Sequence, residues 1–156
     1  VVSRGGGRGR AADVRGVPML GLMHSVGLTG ADPWASAPFY DAVLGFMGYR
    51  RCAEDAHGID WEHATAPDRL PSIGIFKAKG PNAGRGHDRY APGLHHLAWI
   101  AQSREDVDEL HALLTGIGAA VLDPPADYPE YGAGYYAVMF ADPDGLKLEF
   151  VHEPRI

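Results

Sequence analysis

The sequence predicts an α+β fold built from two βαβββ modules whose strands form a cupped mixed sheet. Three observations carry that reading. First, a motif recurs: Ser25-Val26-Gly27-Leu28-Thr29 followed by Leu44-Gly45-Phe46, then His96-Leu97-Ala98-Trp99-Ile100 followed by Thr115-Gly116-Ile117. Second, the spacing from Ser25 to Gly45 equals that from His96 to Gly116, so each stretch reads as strand, linker, amphipathic helix and a terminating glycine. Third, each repeat is followed by three short β-patterned runs.

The elements follow in order. The first strand is read from about Met23 to Thr29. Asp32-Pro33 reads as a turn and Ser36 as the helix N-cap, with Pro38 in the first turn. Phe39, Val43 and Phe46 share one helical face, and Gly45 or Gly48 ends the helix. Tyr49–Ala53, Gly58–Ala64 and Ser72–Ala78 are read as strands, and the Gly-, Pro- and Asn-rich stretch Gly80–Gly93 as a linker. In the second module His95–Ala101 is a strand, and Ser103-Arg104-Glu105-Asp106 resembles a capping box with Asp in place of Glu. Val107, Leu110, Leu113, Leu114 and Ile117 mark the buried stripe of the next helix. Ala119–Leu122 is read as a strand and Asp123–Ala133 as a long loop. Tyr135–Ala141 and Leu146–Val151 are strands joined by the turn sequence Asp142-Pro143-Asp144-Gly145. The organisation is a basic Gly/Arg-rich leader over 1–18, a first module over 19–80, a linker over 81–93 and a second module over 94–156.

Composition narrows the function. The 156 residues are 46% hydrophobic and 22% charged, ordinary for a globular domain. A formal charge of −6 argues against a general nucleic-acid binder, because phosphate affinity needs clustered Lys and Arg. No apolar run reaches the length of a membrane span, and residues 1–18 lack the apolar core of a signal peptide. The single cysteine, Cys52, forms no internal disulfide, so a cytoplasmic location is expected.

Strand alternation locates the candidate chemistry. In the last strand Leu146, Leu148 and Phe150 share the face that suits a helix, leaving Glu149 on the concave side. In His95–Ala101, Leu97 and Trp99 suit the helix side, so His96 faces the cup and His95 the core. A His and a Glu on facing strands are ligand types for a divalent metal. Tyr135 and Tyr136 alternate, and Tyr136 is taken as the one that faces the cup and hydrogen-bonds a substrate oxygen. His57, His63 and Trp61 are read as surface or packing residues, and Cys52 as inert.

These residues carry a resemblance. Gly93-Leu94-His95-His96-Leu97-Ala98-Trp99, Ser103 to Leu110, Gly134 to Phe140 and Asp142 to Glu149 resemble the vicinal oxygen chelate superfamily. Its members include glyoxalase I, extradiol dioxygenases, fosfomycin-resistance proteins and bleomycin-binding proteins. Val26-Gly27-Leu28-Thr29 and Phe39 to Phe46 extend the likeness into the first module. The resemblance implies a divalent metal (Zn, Fe, Mn or Ni) with His96 and Glu149 as ligands, Glu149 being also the catalytic carboxylate. The family's first-strand histidine falls on Ser25, with His24 one residue earlier, on the helix side of a regular strand. Either His24 turns into the cup through a bulge and completes a 2-His-1-carboxylate site, or the site is incomplete. The implied function is a metal-dependent dioxygenase or lyase acting on a small oxygen-bearing molecule; the alternative is a metal-free drug-binding or resistance protein. A homodimer is the implied assembly.

Overall fold

The computed structural model describes Gly21, residues 23–65 and residues 71–154, so the leader read over 1–18 lies outside the described residues. Strand β1 (Ser25–Gly30) leads into helix α1 (Pro33–Phe46), and β2 (Tyr49–Asp55), β3 (Gly58–His63) and β4 (Ser72–Lys77) follow. The second half repeats the order with β5 (Leu97–Ile100), α2 (Arg104–Gly116), β6 (Ala120–Asp127), β7 (Tyr136–Ala141) and β8 (Lys147–His152). The strands form two four-stranded sheets ordered β1-β4-β3-β2 and β5-β8-β7-β6. In each sheet the first and last strands pair in parallel and the remaining neighbours antiparallel. This is the α+β architecture of two βαβββ modules.

Local chemistry explains both helix starts. Helix α1 begins at Pro33, not after Ser36, because the Asp32 carboxylate accepts hydrogen bonds from the Trp34 and Ala35 amides. Pro33 at the first position loses nothing, since that amide has no helical partner. Pro38 therefore lies in the second turn, where its missing N–H leaves the Trp34 carbonyl without its helical donor. Helix α2 has the predicted capping box: Ser103 Oγ accepts from the Asp106 amide at 3.1 Å, and Asp106 Oδ2 accepts from the Ser103 amide at 2.9 Å.

A second difference lies in β6, which runs on to Asp127 through the stretch read as a loop. It tolerates Pro124 and Pro125 because it is an edge strand, and its register breaks around them, between Val121 and Asp123 and again before Ala126.

Both helices and the inner faces of both sheets share one core. Val43, Leu44, Val107, Leu110 and Leu114 are fully buried, each such side chain contributing about 1.5–3 kcal/mol of hydrophobic free energy. Phe39 and Phe46 of α1 reach across the module boundary to Phe140 of β7 and Phe150 of β8, with ring centroids 6.3 and 6.0 Å apart. The boundary is also pinned by polar groups: Tyr40 Oη donates to Asp142 Oδ2 at 2.6 Å, and the Ala31 amide donates to Asp144 Oδ2 at 3.1 Å. Each sheet thus turns one face to the shared core and the other away from it.

Candidate metal centre

The outward face of the second sheet centres on Glu149. In β8, Leu148 and Phe150 belong to the core cluster, so alternation sends Glu149 to the opposite face. Register places Ala98 of β5 on one side of Glu149 and Met139 of β7 on the other, with Asp123 of β6 beyond Met139. Although on the outward face, Glu149 is only 3% exposed. A carboxylate so enclosed needs partners, because burying an unpaired charge is costly.

Two side chains meet it. Tyr135 Oη donates to Glu149 Oε1 at 2.6 Å, and His96 Nε2 lies 3.5 Å from Glu149 Oε2. Tyr135 precedes β7, which runs antiparallel to β8, and His96 precedes β5, which runs parallel to it, so the two reach Glu149 from opposite ends of the sheet. Burial, followed by its hydrogen bond to the Glu149 carboxylate, raises the Tyr135 hydroxyl well above its ordinary pKa and keeps it a donor. The two carboxylate oxygens are therefore divided: Oε1 is held by Tyr135, and Oε2 faces the imidazole.

This donor pair fits a divalent metal. A neutral imidazole nitrogen and a carboxylate oxygen are borderline ligands of the kind such ions take. Two bonds of ~2.1 Å at a tetrahedral angle put their donors about 3.4 Å apart, against the 3.5 Å found here. The Tyr135 hydrogen bond to Glu149 is of the kind that would orient a carboxylate holding a metal. Among the described residues of a single chain, no group of three His, Cys, Asp or Glu side chains assembles to hold a metal. Among the described residues, then, His96 and Glu149 come together without a third ligand.

The other site candidates fall elsewhere. His24 is exposed and precedes β1, where its carbonyl accepts from the Ser72 amide. From Ser25 onward β1 pairs with β4 without a register break, so no bulge within the strand alters the alternation. Ser25, Gly27 and Thr29 are the exposed set of that strand. Tyr136 lies on the core side of β7, opposite His152, and its hydroxyl donates to Asp108 of α2 at 2.7 Å. Its ring is covered by the Arg104 guanidinium, 3.8 Å from the centroid. The hydroxyl that reaches Glu149 is that of Tyr135. His63 packs against the Tyr49 ring, and Trp61 is buried with its Nε1 donating to Asp41 at 2.9 Å.

Two features at the site went unread in the sequence. One is a tyrosine wall: Tyr131 stacks on Tyr128 at 6.0 Å and meets Tyr135 edge-on at 5.4 Å. Tyr131 is 59% exposed, an unusual placement for a large aromatic ring. The clustering of Tyr128, Tyr131 and Tyr135 around one loop was the available signal. The other is His95, read as core-facing, which is exposed with its ring beside that of His96.

Fold and site together define a protein of paired βαβββ modules with an imidazole–carboxylate pair on the outward face of the second. The chain belongs to the Glyoxalase/Bleomycin resistance protein/Dioxygenase superfamily, whose model matches residues 22–150. It is 35% identical over 129 residues to the uncharacterized protein YqjT of Bacillus subtilis, covering 83% of this chain and 97% of that one. A candidate glyoxalase from Bacillus halodurans superposes with a TM-score of 0.71 at 28% identity, over 86% of this chain and 97% of the other. A glyoxylase/bleomycin resistance protein/dioxygenase domain from Frankia superposes with a TM-score of 0.63 at 26% identity, over 85% and 96%.

Proposed function

We propose that this chain is a metal-dependent enzyme of the dioxygenase or lyase type, acting on a small oxygen-bearing molecule. The observation that supports this reading is the pairing of His96 Nε2 with the free oxygen of a buried Glu149 whose other oxygen is held by Tyr135. A buried carboxylate held from one side and left facing an imidazole on the other is an arrangement that a cation satisfies.

In this reading His96 and Glu149 hold a divalent ion (Zn, Fe, Mn or Ni), and homodimerisation brings the first-module strand of a second copy over the site to complete it. When bound, the ion would supply Lewis acidity to substrate oxygen. The protein's own groups do the rest. Glu149 provides negative charge inside the sheet, Tyr135 fixes its orientation, and the tyrosine wall offers flat apolar surface for a substrate body. The described residues include no helix long and apolar enough to cross a membrane, and cytoplasmic residence is part of the proposal.

A second reading, a metal-free binder of small molecules, is favoured by one observation: the described residues of a single chain assemble no group of three ligands for such a centre. Elemental analysis of untagged protein and of His96→Ala decides between them. Stoichiometric metal in the wild type and none in the variant supports the enzyme. No metal in either after incubation with Zn, Mn, Ni and Fe(II) overturns it. Light scattering tests the dimer, and a monomer that binds metal fully would remove the need for a second copy.

A further inference from the structure

His95 and His96 stand next to each other with their Nδ1 atoms 2.8 Å apart and their rings nearly perpendicular, at 81° with centroids 5.0 Å apart. Neighbours within a strand point to opposite faces, but both residues precede β5, which begins at Leu97, so ladder pairing does not separate them. Two imidazole nitrogens at that distance share a single hydrogen. Two bare lone pairs would repel, and two N–H groups would collide. One ring therefore carries its proton on Nδ1 and the other presents Nδ1 bare.

The direction follows from the metal reading, on which this inference rests. The nitrogen of His96 beside Glu149 is Nε2. A neutral imidazole that gives its Nε2 lone pair to a metal carries its proton on Nδ1 and needs an acceptor there. Within the described structure the atom at that place is Nδ1 of His95.

We propose that His95 is the positioning residue of the site: its bare Nδ1 accepts the His96 Nδ1–H, fixing the His96 tautomer and ring plane so that Nε2 is offered to the metal. His95 then carries its own proton on Nε2. Its ring is backed by Tyr90, which packs edge-on at 5.9 Å and is itself covered by Arg89, with the guanidinium carbon 4.8 Å from the ring centroid. Carboxylates and backbone carbonyls commonly fill this outer position; here a second histidine fills it.

The test uses the intact chain with zinc alone as probe. Zinc affinity is measured by competition with a chromophoric chelator for wild type, His95→Ala, His95→Phe and His95→Asn. Nitrogen-15 NMR of the zinc-loaded protein reports the His96 tautomer. The expected result is a loss of 10–100-fold in affinity for Ala and a similar loss for Phe, which keeps the ring contact with Tyr90 but offers no acceptor. Asn, whose carbonyl accepts, recovers most of the affinity. In the wild type the His96 Nδ1–H is protected from exchange, and in His95→Ala it exchanges freely. His95 is exposed, so the variants are expected to keep the wild-type melting temperature. If wild type binds zinc through His96 and His95→Ala binds it as tightly, this inference fails while the metal reading stands. If wild type binds no divalent metal, both fail.

Discussion

Tyr135 and Glu149 are joined by a 2.6 Å hydrogen bond that spans two strands and commits one oxygen of a buried carboxylate. The adjacent Tyr136 makes an equally short bond, 2.7 Å to Asp108, on the other face of the same sheet. One peptide bond therefore separates a tyrosine of the candidate centre from a tyrosine of the module's frame.

That pair gives the first prediction. Tyr135→Phe leaves Glu149 Oε1 enclosed without a donor, so metal affinity should fall 10–100-fold and stability by about 1–3 kcal/mol. Tyr136→Phe should leave metal affinity unchanged and cost about 1 kcal/mol or less, because its partner Asp108 is exposed and regains water. Chelator competition and denaturant unfolding on both variants check this. Equal effects on affinity would contradict the assignment.

The module boundary gives the second. Tyr40 is 1% exposed and its hydroxyl donates to Asp142 Oδ2, while Asp142 Oδ1 accepts from the Asp144 and Leu146 amides. Tyr40→Phe removes the only one of these donors that comes from the first module. Urea denaturation should show a loss of about 1–3 kcal/mol in a single transition, since both modules share one core. Two separated transitions would show that the halves unfold independently.

Asp142 also sets a pH dependence. Burial is the largest influence on its carboxyl and holds it above the ordinary carboxylate range, against the three donors that pull it down. Its folded pKa is thus raised, so folding favours the protonated form. The associated stability is fully present below about pH 4, where the unfolded carboxyl is also protonated. It is lost as the pH rises through the folded value, because the unfolded chain has by then released its proton. The melting-temperature advantage of wild type over Asp142→Asn should shrink between about pH 3 and neutrality; an advantage that grows over that range would reverse the sign.

The first sheet gives the last prediction. A Cβ at Gly58 would overlap the carbonyl oxygen of Ile75 in the neighbouring strand, a backbone group that cannot turn aside. One at Gly74 would press on Asp60 Oδ1 and on the Phe76 ring at 2.9 Å, side-chain atoms with some freedom to move. Gly58→Ala should therefore destabilise by about 3 kcal/mol and Gly74→Ala by about 1–2. The ordering of the two midpoints in urea is the check.

Much of the fold was legible because its signals are local. The repeated motif, the Ser103 capping box and the Asp142-Pro143-Asp144-Gly145 turn act over a few residues each, and the structure contains two βαβββ units in that order. Where the reading strayed, a competing interaction was also local but stronger. Asp32 capped α1 before Ser36, and the edge position of β6 let Pro124 and Pro125 remain in a strand.

By itself the sequence determined the module plan and the placement of Glu149 away from the core, because alternation and helical period depend only on neighbours along the chain. Only the tertiary structure decided which tyrosine meets Glu149, that His95 turns to His96, and that His24 stands outside the pair. Those three outcomes depend on strand register and on residues just beyond strand ends, where no ladder hydrogen bond fixes the side-chain direction. Tyr135 meets Glu149 across neighbouring strands, and His95 meets His96 because neither is held by a ladder, so strict alternation along the chain records neither contact.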